Sequence, residues 1–408
     1  MSINFTNSLL ALAVCTTLAA CGGSSSSKST NTPTAPTTPT MPEANELGIS
    51  PIPDALKSTY TQALKFDRYT KVDTPNGGAI HIVAQDGITE NQIVRSRNIL
   101  QHFLTDFPGS QYGSDKSAVA NKMAENDATL MLLNGVDDGT NAGAELDGQP
   151  LYYGEMQVEG HSWYINQNYE HRDASYEEIL HLVHDYGIGV DQYQAFIGAQ
   201  PEYQAEIRAA QITALSEQLW AWGAEMADWL AEITAENSLT QEYLASVVDS
   251  FYGLWGAQES DYGMWGFYIA KTRDDLPGKD PQGAALMEMF FHPYLTYNAR
   301  IDESFTGDFS LKFQDSLPYT HHARYLKDIT LTGSNNSNVI VNELDNSISG
   351  NTGTNTVIFS GPSSEYQISN EAERITVSDQ QDNRDGRNTL ERIEKLQFSD
   401  ITIESASL

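Results

Sequence analysis

The spacing of apolar residues changes period along this chain, and that change limits the fold to a mixed one in two parts. Between Thr89 and Phe291 the apolar residues recur at helical spacing in several long stretches, separated by short strand-like runs. From about Asp328 the helical period disappears, and short β-rich runs are punctuated by Gly, Asn and Ser. The pattern predicts an α+β unit over 46–327, a small sheet plus a helical half, followed by an all-β C-terminal domain over 328–408.

Within the first unit, Ala79–Val83 reads as a strand bounded by Asn76-Gly77-Gly78 and Asp86-Gly87. Thr89 is placed to cap a helix carrying Ile93, Ile99, Leu100, Phe103 and Leu104. Ser114–Glu125 reads as a second helix and Ala128–Leu133 as a buried strand, with strand-like stretches at Leu151–Tyr153 and Trp163–Ile165. Helices are then expected at Ser175–Tyr186, through a long region from Glu202 to Ala235, at Gln241–Tyr252 and at Ala284–Phe291.

The first 45 residues carry no core. Ser8–Ala20 is an apolar run too short to span a bilayer and ends in small residues, as a leader of residues 1–20 would. Residues 21–45 are rich in Ser, Thr and Pro, the composition of a tether. Leu18-Ala19-Ala20-Cys21 resembles the lipobox of bacterial lipoproteins, which implies cleavage before Cys21 and lipidation of its thiol. Gly22, in place of the Asp that retains such proteins at the inner membrane, points to the outer membrane or surface of a Gram-negative cell envelope. The only cysteines are Cys15 and Cys21, so the mature chain has no internal disulfide and depends on core burial. The net charge of −32 opposes binding to nucleic acid and to anionic lipid heads, which leaves the lipid as the membrane contact.

One segment carries metal-ligand chemistry at ligand spacing. In Ser175-Tyr176-Glu177-Glu178-Ile179-Leu180-His181-Leu182-Val183-His184, Glu177, His181 and His184 fall within roughly 60° of one helix face. Carboxylate and imidazole groups are ligands for first-row metals. Glu178 lies beside that stripe, in reach of a water on a metal without being a ligand. The same residues allow a structural account: Ser175-x-x-Glu178 is a capping box, and His181 and His184 are hydrogen-bonded core histidines. Among the other histidines, His161 and His171 approach this helix and are placed to line a cleft.

The segment resembles the active-site helix of zincin metallopeptidases, H-E-x-x-H. His181 matches the second histidine ligand, Glu178 the general base, and Glu177 stands at the first histidine. The gluzincin branch takes its third ligand from a Glu on a later helix, for which Gln241-Glu242-Tyr243-Leu244-Ala245 supplies Glu242. The resemblance implies a zinc-dependent peptidase acting on peptide or protein, with His184 as an added ligand. The rival function is a non-enzymatic surface binding or adhesion lipoprotein that keeps the fold without the metal. In the tail, Gly333–Ile340 and Gly350–Val357 place turn residues first and an aliphatic residue after the last Asn. They resemble the glycine-rich repeats of RTX proteins, which implies a β-roll with calcium at Asn338 and Asn355. No G-x-S-x-G, phosphate loop or dinucleotide fingerprint occurs, and lipidation of Cys21 removes the one candidate thiol nucleophile.

Overall fold

The structure is a computed structural model that describes residues 43–191, 198–371 and 374–408. The expected leader, Cys21 and nearly all of the tether lie outside the described residues. The fold is α+β, with a helical half followed by a strand-rich region. Among the described residues no helix is long and apolar enough to cross a membrane.

The first sheet is formed by β1 (Phe66–Asp73), β2 (Ala79–Gln85), β3 (Thr129–Leu133) and β4 (Gln149–Tyr152), in that order. β1 and β2 are antiparallel, while β2, β3 and β4 run parallel. The connection from β2 to β3 carries α1 (Glu90–Leu104) and α2 (Ser117–Glu125). α1 starts where Thr89 predicts: its hydroxyl accepts from Gln92 N–H, and the Gln92 side chain accepts from Thr89 N–H. Residues of β3 alternate between two cores. Leu130 and Leu132 join the main core with Ile93, Ile99 and Phe103, whereas Met131 and Leu133 pack with Ile52, Tyr60 and Phe66 on the other face.

The helical half contains α3 (Ser162–Asn166), α4 (Ser175–Val183), α5 (Pro201–Ser216), α6 (Ala227–Ala235), α7 (Leu239–Phe251), α8 (Leu276–Lys279) and α9 (Pro281–Phe290). Two expectations change here. Trp163–Ile165 lies in the short helix α3, not a strand. His161 Nδ1 accepts from Trp163 N–H at its start, and Gln167 ends it with φ 47°. Three apolar residues are too few for period to separate the two states. The region from Glu202 to Ala235 is interrupted between α5 and α6, where Gln218 and Ala221 take positive φ. There the chain leaves the helix so that Trp220 inserts fully into the core and donates from Nε1 to Ser246 Oγ at 3.1 Å.

A buried charge network ties α1 to the approach of α4. Arg95 Nε donates to both Glu159 oxygens, at 3.1 and 3.0 Å, and its two terminal nitrogens reach Asp173. Arg95 also donates to Ser175 Oγ at 2.8 Å, so the first residue of α4 is held by a side chain of α1.

The strand-rich region is β5 (Leu295–Ile301), β6 (Gly307–Ser310), the short helix α10 (Thr320–Ala323), then β7 (Leu326–Leu331), β8 (Ser337–Ile340), β9 (Ser347–Ser349), β10 (Thr356–Ile358), β11 (Tyr366–Glu371), β12 (Arg374–Asp379), β13 (Arg387–Glu391), β14 (Lys395–Gln397) and β15 (Thr402–Glu404). Strands β5 to β10 alternate between two sheets, β11-β12-β13-β9-β7-β5 and β15-β14-β10-β8-β6. The run β5-β7-β9-β13 is parallel, as is β6-β8-β10-β14. The two Asn-rich stretches pair in register, Asn338 with Thr356 and Val339 with Val357, and both valines are fully buried. The ladder begins at Leu295, upstream of Asp328. One continuous core joins α1 and β5 to Ile329, Val339 and Val357.

Candidate functional site

α4 is an amphipathic helix with Tyr176, Ile179, Leu180, Leu182 and Val183 in the core. Its other face carries Glu177, Glu178 and His181 toward α7 and β4. The helix ends in a π-turn, His184–Ile188, closed by Gly189 at φ 100°, a conformation that favours glycine.

Glu177, His181 and Glu242 come together, with one potential ligand atom from each within 4.8 Å of the others; this is the one such group of three among the described residues. Glu242 arrives from the first turn of α7. His181 Nε2 lies 3.8 Å from Glu242 Oε1, and Nδ1 lies 3.6 Å from Glu178 Oε2. Both separations exceed hydrogen-bond length. His181 is only 8% exposed, and its Nε2 has no hydrogen-bond partner, an orphaned donor or acceptor aimed at carboxylates.

Charge in the site is set by burial and by these neighbours. Burial opposes the imidazolium, but Glu242, then Glu178 and Glu177, outweigh it and push His181 up to about 10. Burial raises Glu242 to about 7, against the attraction of His181. For Glu177 burial is overcome by the Arg172 guanidinium and His181, which hold its carboxyl below the usual range. Arg172 forms an ion pair with Glu177 and lies over the Trp265 ring, 4.6 Å from its centroid.

Glu178 is not a capping residue. The Ser175 N–H donates to Asp173 Oδ1, and the Glu178 carboxylate turns into a cleft, where Oε2 accepts from Gln149 Nε2 at 2.7 Å. That cleft, about 200 Å³, is lined by His181, Glu242 and Glu178 together with Glu155, Asp185 and Gln241. Burial, then Glu178, raises Glu155 to about 7, and burial raises Asp185 to about 6.

His184 is not in the group. It is fully buried, with Nε2 at 2.6 Å from Gln204 Oε1 on α5, and burial pushes it down to about 4. The reason is axial: at ~1.5 Å rise per residue, His184 sits about 10 Å along the helix from Glu177, too far to share one ion. His161 and His171 do not line the cleft: His171 stacks on the Trp163 ring, and His161 meets that ring edge to face. Asn338 Nδ2 donates to Asp308 and its Oδ1 accepts from Thr356 N–H. Asn355 Nδ2 donates to Ser337 O and its Oδ1 accepts from Asn351 N–H. Both amides thus brace neighbouring coils of the ladder.

Sequence pattern missed Gln149 and Arg172, which hold Glu178 and Glu177. Arg172 lies five residues before its partner, a proximity that offers a weak signal; Gln149 comes from a separate strand and offers none. No family model matches the chain, and no curated protein matches it.

Proposed function

We propose that this protein is a zinc-dependent hydrolase of peptide bonds, with a zincin-like site in which Glu177, His181 and Glu242 hold the metal. The observation that carries this reading is the buried, unpartnered Nε2 of His181 facing Glu242, with Glu177 completing the donor set. One imidazole and two carboxylates suit a first-row divalent ion, and binding would replace the proton that these carboxylates hold on His181. When bound, zinc supplies Lewis acidity that lowers the pKa of a coordinated water to about 7 and polarises a carbonyl. Glu178 stands beside the donors without being one and accepts the proton of the attacking water. Gln149 fixes the Glu178 carboxylate, and Arg172 fixes that of Glu177.

The test is metal content and turnover of the full chain. Wild type should hold close to one zinc per chain, and His181→Ala should lose it. Glu178→Gln should keep the metal while peptide hydrolysis falls by about 100-fold or more. A wild-type protein that takes up no zinc when dialysed against it would sink the reading. It would leave a binding or adhesion protein with this fold.

The lipobox-like Leu18-Ala19-Ala20-Cys21 and the polar tether support a lipid-anchored location in the cell envelope. Labelled palmitate should enter wild type and not Cys21→Ser.

A further inference from the structure

The cleft beside the triad has a charge pattern that the metal alone does not account for. Six of its fourteen lining residues are carboxylates, against 55 in 408 for the chain, and none is Lys or Arg. They are Asp137, Glu155, Glu178, Asp185, Glu236 and Glu242. A divalent ion on the triad offsets Glu177 and Glu242 and leaves the others. Glu155, Asp185 and Glu236 make no ion pair with Lys or Arg among the described residues.

We infer that the cleft selects peptides carrying a basic side chain, lysine or arginine, next to the bond that is cut. The inference rests on the metal-centre reading, and the unpartnered His181 Nε2 marks this cleft as the place where a ligand is received. Three features favour a basic side chain over a second metal ion. First, among the described residues the triad is the one group of three or more with ligand atoms close enough to share an ion. Second, they range from half-buried Glu155 to exposed Glu236, a spread suited to a long chain with charge at its end. Third, Pro150, Tyr152 and Val190 also line the cleft and offer apolar contact to the methylene stem. At about 200 Å³ the cleft is smaller than sites that enclose a whole drug-sized ligand, and suits a single side chain.

The experiment uses the full chain stripped of metal with chelator, so that no turnover occurs, and measures binding of three acetylated, amidated tetrapeptides. They read Ala-X-Ala-Ala, with lysine, norleucine or glutamate at X. Tetra-alanine amide with a free amino terminus is the fourth probe. The lysyl peptide should bind about tenfold or more tightly than the norleucyl one, and the glutamyl peptide should bind weakest. The lysyl preference should shrink as salt is raised. The double variant Asp137→Asn, Glu236→Gln should lose most of the preference while its zinc content matches wild type. Equal binding of lysyl and norleucyl peptides overturns the inference. So does a preference unaltered by the double variant, or tetra-alanine amide binding as well as the lysyl peptide. Stoichiometric binding of calcium to the zinc-loaded chain, in addition to its zinc, would instead assign the carboxylates to a second metal and overturn the inference. Zinc content is read on the same preparation before stripping. A lysyl preference in a protein that holds no zinc would support the charge reading and fail the metal reading alone.

Discussion

Gln149 and Glu178 meet across the gap between β4 and α4, with Nε2 of the amide 2.7 Å from Oε2 of the carboxylate. This contact aims Glu178 at the cleft and sets its distance from His181. Gln149→Leu keeps the bulk and removes the donor, leaving Glu178 free to rotate. Outer-shell changes of this kind cost about 10- to 100-fold in metal-site performance. We expect a loss of about tenfold in kcat with zinc content unchanged, because Gln149 touches no ligand of the triad. Loss of the metal in Gln149→Leu would show that this contact shapes the triad itself.

His184 lies one turn beyond His181 and faces Gln204 instead of the carboxylates. His184→Ala should therefore leave one zinc bound. It should nonetheless destabilise the fold, since it opens a cavity at a fully buried position and leaves Gln204 Oε1 without its His184 partner. A drop of about 2–4 kcal/mol in unfolding free energy is expected. Zinc analysis and thermal unfolding of the same sample check both halves. Zinc lost in proportion to the unfolded fraction counts as stability, but zinc lost from folded protein would make His184 a ligand.

The contrast between His181 and His184 shows what sequence pattern can and cannot reach. Period alone placed Glu177, His181 and His184 on one stripe, because angle is read from spacing. It could not read the axial distance at which a single ion chooses among them. Glu242 lies about 60 residues beyond His181, where family resemblance points to it and spacing does not. Likewise Thr89 caps α1 as its position predicts because the interaction is local, while the break at Trp220 depends on where Ser246 and Tyr243 wait in the folded core. The strand β1 is not legible in the sequence, because Asp67, Arg68, Lys71 and Asp73 interrupt its apolar alternation, as an edge strand permits.

Asp328 looks like a boundary in sequence, but it lies inside the parallel ladder. β5 pairs with β7, so ending the chain at Lys327 strips β5 and β6 of their partners. Ala299, Ile301 and Phe309, all buried in the whole protein, would then face water beside unpaired backbone. We expect the product of residues 46–327 to aggregate or to melt well below the full chain. One ending before Leu295 should be the better behaved of the two only if the helical half is stable without β5. Scanning calorimetry of both against the full chain is decisive. A 46–327 product that melts at the temperature of the whole would mean that the ladder adds nothing to the core it touches.

Lys116 is the clearest source of pH-dependent stability remote from the triad. Its ammonium is buried beside Phe290, 4.3 Å from the ring centroid, and donates to Phe103 O at 2.9 Å. Burial, opposed only in part by Asp106, lowers its pKa from 10.5 to about 7. The sign follows from proton counting. Between about 7 and 10.5 the unfolded chain binds a proton at this site that the folded chain does not, so raising the pH favours the folded state across that window. Below about 7 both states carry the proton and the cost of the buried charge is felt in full. Lys116→Met keeps the stem, removes the charge, and leaves Phe103 O without this donor. Its melting temperature should change less than that of wild type between pH 7 and pH 10, and should compare best with wild type at or below pH 7. Parallel slopes for the two proteins over that range would show that Lys116 keeps its proton in the folded state, held by Phe103 O and the faces of the neighbouring rings.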